Sequence, residues 1–278
     1  MSLARRLREL LARGIVVAPG AFDIYSALLI KQSGFDAVYV GGAWNAAASF
    51  GKPDIGWMTL SELAAITRRI VDSTQIPTVV DAESGYGDAI GIYRAVRELE
   101  ATGAAGLHLE DHLRKSGNEL CSIREMTDRL RAALDARRSD EFLIIARTDA
   151  RQEIGLDEAI ERAASYAQAG ADLVWVNWPE SEDEIAAISR RIGHKVFVQL
   201  TEGGKAPMIA PRRLEELGVR FLAYPGGAFR AATFATATYL RALKGDGDKP
   251  PLYPYDHRNT VADLQFFRDW EEKHTTAK

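Results

Sequence analysis

A (β/α)8 TIM barrel is the fold class that this 278-residue sequence predicts, and three observations predict it. Eight short runs rich in Val, Ile and Leu recur along the chain, amphipathic stretches lie between them, and 46% of the residues are hydrophobic, enough for one large core. The runs are "IVVAP", "DAVYV", "PTVVDA", "AGLHLE", "FLIIART", "DLVWVN", "KVFVQL" and "VRFLAY". Between them, "LSELAAITRRIVDST", "AIGIYRAVRELEATG" and "LDEAIERAASYAQAG" carry apolar residues at helical spacing, and glycines close the last two. Strand and helix alternating in this way require a parallel sheet with right-handed crossovers, and eight units can close on themselves. Ahead of the first strand, "MSLARRLRELLARG" scatters charges among its apolar residues and reads as an extra amphipathic helix, not as a signal peptide or membrane span. After the last strand, "KGDGDKPPLYP" (Lys244 to Pro254) is a loop leading to a final helix near Val261 to Lys273. The expected organisation is one barrel domain over residues 1–278, with 244–278 as a C-terminal extension. The final helix carries Leu264, Phe266, Phe267 and Trp270, so it docks on something, either its own barrel or a neighbouring subunit.

Bulk properties exclude several function classes. Net charge is −4 with no basic block, so the field that draws proteins onto nucleic acid or anionic membranes is missing, and neither partner is expected. Cys121 is the single cysteine, which rules out an intrachain disulfide and fits a reducing, cytoplasmic setting.

In such a barrel, side chains at the C-terminal strand ends converge on one mouth, where chemistry sits. The strand ends here supply Asp23; Gly41, Gly42 and Asn45; Asp81 and Glu83; Glu110 and Asp111; Arg147 and Asp149; Asn177; Gln199, Thr201 and Glu202; and Tyr224. Residues two apart in an extended segment point the same way, so Asp81 with Glu83, and His108 with Glu110, are expected to face one centre. Carboxylates forced together repel and raise one another's pKa unless a cation holds them ionised. Oxygen ligands without a His/Cys cluster favour Mg2+, with Mn2+ as the alternative, over Zn2+. Arg147 is placed to fork a substrate carboxylate.

The motifs "PGAFD", "DAESGYGDA", "GLHLEDH", "IIARTDA", "TEGGKAP" and "YPGGAFRA", in that order between Pro19 and Ala231, resemble the isocitrate lyase and phosphoenolpyruvate mutase superfamily, particularly its short methylisocitrate lyase-like branch. The resemblance implies a Mg2+-dependent barrel that binds a small carboxylic acid, a 2-oxo acid or its enolate, and makes or breaks a C–C or P–C bond beside it. It implies Asp81 as direct metal ligand, and Glu83, Glu110 and Asp54 (in "GKPDIGW") as carboxylates holding the metal or its waters. Gly41, Gly42 and Ala43 match the loop whose amides take a substrate carboxylate, and Arg147 matches the substrate-binding arginine; Asn177, Gln199 and Thr201 complete the expected binding set around Asp81. It also implies a homotetramer, or a homodimer, built through a C-terminal helix exchanged between subunits.

Departures bear on the substrate. Family lyases carry a Lys-Lys/Arg-Cys-Gly-His loop after the fourth strand, where this chain reads "EDHLRKSGNELCSIREM". Cys121 lies beyond that loop and is expected to be a small buried hydrophobe. "KSGN" is an imperfect match to the mutase Lys-Thr-Asn, which makes Lys115 and Asn118 candidates, and His112 is a candidate acid/base. Tyr86 is a candidate wall or proton donor. Glu83 stands where Asp is usual, Gly41 and Gly227 where serines are common, and Asn177 where lyases tend to have Glu; Trp44, Trp57, Trp175 and Trp178 could line a pocket. The expected activity is a Mg2+-dependent C–C lyase or decarboxylase acting on a 2-oxo acid, or on a 2-hydroxy or tricarboxylate-type acid, through an enolate. The alternatives are a phosphonopyruvate-type mutase or hydrolase and a catalytically degenerate 2-oxo acid binder.

Overall fold

A computed structural model of the chain describes residues 1–113, 119–193 and 196–275. In chain order its elements are α1 (Leu3–Arg13), β1 (Val16–Pro19), α2 (Ile24–Gln32), β2 (Val38–Val40), α3 (Gly42–Phe50), α4 (Leu60–Thr74), β3 (Thr78–Asp81), α5 (Ala89–Glu100), β4 (Gly106–Glu110), β5 (His112–Leu113), β6 (Glu119–Leu120), α6 (Ile123–Ala136), β7 (Leu143–Thr148), α7 (Ala150–Glu153), α8 (Leu156–Gln168), β8 (Leu173–Val176), α9 (Glu182–Ile192), β9 (Val196–Gln199), α10 (Pro211–Glu216), β10 (Val219–Tyr224), α11 (Gly227–Leu243), α12 (His257–Val261) and α13 (Leu264–His274). Helix starts follow local chemistry: Asp23 and Thr59 form capping boxes with Ser26 and Glu62, and Ser122 and Ser181 accept through Oγ the first-turn amides of Glu125 and Glu184.

All eight predicted strands form and pair in parallel in the order β1-β10-β9-β8-β7-β4-β3-β2. The outer strands of that order, β1 and β2, approach through a parallel bridge between Gly20 and Tyr39, so the sheet curls into a near-closed barrel. Inside it, Tyr39, Val79, Ile145, Trp175, Phe197 and Phe221 pack together; a second, larger core fills the layer between sheet and helices. The N-terminal helix supplies the floor. α1 inserts Ala4 and Leu7 into the interior cluster, and Arg8 fastens it by an ion pair to Asp172 at 2.8 Å.

The structure adds the β5–β6 hairpin and α3 to the expected elements, and it splits the last helix in two. The break is at Asp263, whose φ of 53° is left-handed and whose side chain caps the amide of Phe266. α12 rests on α2, with Val261 buried. α11 buries none of its residues and leaves Phe234, Leu240 and Leu243 exposed; Phe266, Phe267 and Trp270 of α13 are exposed as well. Exchange of this helix between subunits is not seen in a single chain, and what the chain displays is an apolar tail. Among the described residues, no helix is long and apolar enough to cross a membrane.

Candidate active site

β3 ends on Asp81, and the chain then turns through residues 82–87 with Glu83 and Tyr86 at φ of 48° and 58°. Left-handed backbone at non-glycine residues is uncommon, and its recurrence here and at Trp178 (φ 58°) marks the mouth as a place of stored strain. Asp81 Oδ1 accepts the Glu83 amide at 2.9 Å, and Oδ2 lies 3.4 Å from the Gly42 amide, which it accepts. A Cβ on Gly42 would stand 3.4 Å from Glu83 Oε1 and 3.7 Å from Asp81 Oδ2, so both carboxylates converge on the glycine that opens α3. The expected convergence of Asp81 and Glu83 thus holds for a different reason. Glu83 is in a turn and not an extended segment, and the turn redirects its side chain. Arg129 of α6 braces this turn by donating Nη2 to the carbonyls of Ser84 and Gly87.

Beneath Asp81 lies a buried aromatic layer. His108 Nε2 is 2.8 Å from the Tyr39 hydroxyl and 3.5 Å from Asp81 Oδ1, and the ring stacks on Tyr39 and meets Trp175 edge-on. Burial depresses the His108 imidazole to about 4, although Asp81 acts in the opposite sense, so the ring is neutral at neutral pH. Burial also opposes ionisation of Asp81, but His108 when protonated, Arg147 and the two amides outweigh it and hold the carboxyl below its ordinary value. The sign for folding follows. The unfolded imidazole takes a proton near pH 6.5 and the folded one only near 4, so stability is full above 6.5 and falls as pH drops, by about 3 kcal/mol at pH 4. Urea midpoints measured from pH 7 to 4 should show this fall in the wild type and a flatter profile in His108→Gln; matching profiles would contradict it.

On the next strands, Arg147 Nη1 reaches Glu110 Oε2 at 3.2 Å, and Nε and Nη2 both donate to Asp149 Oδ1, at 3.1 and 2.9 Å. Its guanidinium lies over the Trp175 ring, 4.5 Å from the centroid. Burial works against the charge, yet Asp149, Glu110 and Asp81 raise the Arg147 pKa and keep it cationic. Asn177 donates to the same Asp149 oxygen at 2.5 Å. Arg147, Glu110 and Asp149 border a cavity of about 510 Å³ whose walls also include Asp54, Ile55, His112, Glu153 and Trp178. His112 Nε2 sits 2.6 Å from Glu153 Oε1 of α7.

The family model described as phosphoenolpyruvate phosphomutase matches residues 7–244 of this sequence. The chain belongs to the isocitrate lyase and phosphoenolpyruvate mutase superfamily. Its relatives in that superfamily include the 2,3-dimethylmalate lyase of Eubacterium barkeri, 36% identical and aligned over 100% of both chains. The crystal structure of a 2,3-dimethylmalate lyase superposes with a TM-score of 0.92 at 28% identity, covering 99% of each chain. A phosphonopyruvate hydrolase solved with oxalate and Mg2+ superposes at 0.88 and 27% identity, again over 99% of each chain.

Against the superfamily pattern, the structure gathers Gly42, Asp81 and Glu83 at one point, and Asp54, Glu110, His112 and Arg147 around the adjoining cavity. Gly41 is the N-cap of α3, which puts the amides of Gly42 and Ala43 in its first turn. Asn177 is turned onto Asp149. Gln199 ends β9 with Thr201 just beyond, and neither is among the residues lining the cavity. Tyr86 packs its ring against the core between sheet and helices. Lys115 and Asn118 lie outside the described residues. Of the tryptophans, Trp178 lines the cavity, Trp175 belongs to the barrel interior, Trp44 packs on Phe229, and Trp57 is exposed under Lys52. Cys121 is buried, and burial pushes its thiol up to about 12, as an inert small hydrophobe requires.

Among the described residues, no three His, Cys, Asp or Glu side chains are gathered as ligands for one ion. The donor set nevertheless fits a hard divalent cation. Mg2+ keeps most of its waters and takes one or two carboxylates, and the space in front of Gly42 has two carboxylates of oxygen-only chemistry turned to it. The sequence reading placed Asp149 at the mouth without giving it a role, and it passed over Glu153 and Arg129, which sit on helices and carry no such signal.

Proposed function

We propose that this superfamily member is a Mg2+-dependent C–C lyase cleaving a 2-hydroxy diacid of the substituted-malate type into a 2-oxo acid and a simple carboxylic acid. The observation that carries the reading is a buried, cationic Arg147 held by Glu110 and Asp149 at the wall of one cavity, with Asp81 near enough to help raise its pKa and converging with Glu83 on Gly42. Asp81 would hold the ion directly, with Glu83, Glu110 and Asp54 on its waters; when bound, Mg2+, or Mn2+, would neutralise charge building on the substrate's oxygens as the bond breaks.

The chain's own groups divide the remaining work. Arg147 and the first amides of α3 orient the carboxylate of the half that becomes the 2-oxo acid. The hydroxyl proton of the substrate must leave and the carbon of the departing acid must gain one. His112, which lines the cavity with its Nε2 2.6 Å from Glu153 Oε1, would carry that exchange in place of the family cysteine. Ile55 and Trp178 give part of the wall an apolar character, while Asp54 and Glu153 would repel a third carboxylate. That supports an alkyl-substituted malate over a tricarboxylate, in keeping with the lyase relative. Closure of the C-terminal helices on a second copy, as homotetramer or homodimer, would cover the exposed apolar residues of α11 and α13; a cytoplasmic location is part of the same reading.

The test is a panel of 2,3-dimethylmalate, 2-methylisocitrate, oxaloacetate and phosphonopyruvate, assayed for pyruvate, oxalate and phosphate release with and without Mg2+. Pyruvate and propionate from dimethylmalate, lost on chelation, are expected. Calorimetric binding of oxalate with no turnover across the panel would mark a degenerate binder, and phosphate from phosphonopyruvate would move the assignment to P–C chemistry.

A further inference from the structure

Asp111 follows Glu110 directly, so the two side chains leave the strand on opposite faces: Glu110 toward the cavity, Asp111 into the layer between sheet and helices, where it is fully buried. Its Oδ1 accepts the Asp149 amide at 3.0 Å. Its Oδ2 accepts the Tyr166 hydroxyl at 2.8 Å and Arg162 Nη1 at 3.3 Å. Arg162, itself tied to Glu158 by an ion pair at 3.3 Å, also donates to the Cys121 carbonyl at 2.7 Å. The backbone completes the knot: the Cys121 amide bonds Asp111 O at 2.9 Å, and the Asp111 amide bonds Arg147 O at 3.1 Å.

A carboxylate removed from water is expensive unless each oxygen is well supplied with donors, and a buried ion network is often no more stable than apolar residues of similar volume. Stability is therefore a weak reason for this cluster. What it does hold is specific. Asp111 grips the main chain on both sides of Thr148, at Arg147 O and Asp149 N, and the Asp149 side chain is what aims the Arg147 guanidinium.

We infer that Asp111, with Arg162 and Tyr166, is a positioning set for Arg147, acting through the 147–149 backbone from behind the active site. The inference rests on Arg147 being the carboxylate-binding group proposed above. None of the three outer residues touches the cavity. They act on affinity by fixing where the fork points.

The experiment compares Tyr166→Phe, Arg162→Met, Arg162→Lys and Asp111→Asn with the wild type. The readouts are KM and kcat on the panel, calorimetry of oxalate with Mg2+, and hydrogen exchange at the Asp149 amide. In Asp111→Asn the new amide nitrogen faces two donors, and KM and the oxalate Kd should rise about tenfold with kcat within about twofold, the pattern of lost uniform binding. Tyr166→Phe, which removes one oxygen, should shift both about threefold, and Arg162→Lys should recover part of what Arg162→Met loses. Exchange at Asp149 should quicken by about tenfold in Asp111→Asn and measurably in Tyr166→Phe. A lower Tm with unchanged KM, Kd and exchange in Tyr166→Phe and Arg162→Met would overturn the inference. A wild type that neither binds oxalate nor turns over any of the panel would instead sink the lyase reading, and the exchange at Asp149 would still decide this one.

Discussion

Asp81→Ala lowers turnover by at least about a thousandfold, equivalent to some 4 kcal/mol of transition-state stabilisation, while the chain keeps its fold. The size follows from where Asp81 stands. Its two oxygens receive the amides of Glu83 and Gly42, so one carboxylate organises both the turn after β3 and the first turn of α3. It is also the proposed direct ligand of the cation, so its loss removes charge neutralisation at the reacting oxygens. Asp81→Asn is the sharper control, because it keeps the shape and removes only the charge. Both variants should lose Mg2+-dependent oxalate binding in calorimetry, with far-ultraviolet circular dichroism unchanged. Full turnover of the best substrate by Asp81→Ala would falsify the metal-centred reading.

The second large effect is expected at Arg147→Lys. A lysine keeps the charge but not the planar fork that now meets Glu110 with one arm and Asp149 with the other, nor the stacking over Trp175. KM should rise by about a hundredfold, roughly 3 kcal/mol of lost binding, since a bidentate contact to substrate becomes a point charge at the wrong reach. Glu110 and Asp149 would be left poorly paired, so the urea midpoint should fall too, by about 1–3 kcal/mol of stability. Steady-state kinetics and urea titration on the same preparation separate the two effects. Unchanged KM would remove Arg147 from the binding site.

The strands were readable because each is a compact β-branched run set between helices of clear period, and the polar residues at their ends were readable because the barrel sends those ends to one mouth. Glu110 and Arg147 do border one cavity on that logic, while Asp54 and His112, which border it too, were named from the family resemblance and from the loop that departs from it. Glu83 shows where the logic thins: period-two reasoning assumed an extended chain, and the left-handed turn that aims it is a tertiary outcome. Asp111 was counted with the mouth although it adjoins Glu110, and alternation alone could have turned it the other way. Arg129 and Arg162 were illegible because a buried arginine on an amphipathic helix has the same sequence signature as one in water. Their partners are carbonyls and carboxylates brought close only by packing.

α1 seats Leu7 in the floor of the barrel, and Met1 just ahead of it is exposed. A tag or surface tether joined at that end therefore departs from the side away from Arg147 and Asp81. Protein immobilised through it would face its chemistry to the bulk solution, whereas attachment at the other terminus would load a segment rich in uncovered aromatic side chains.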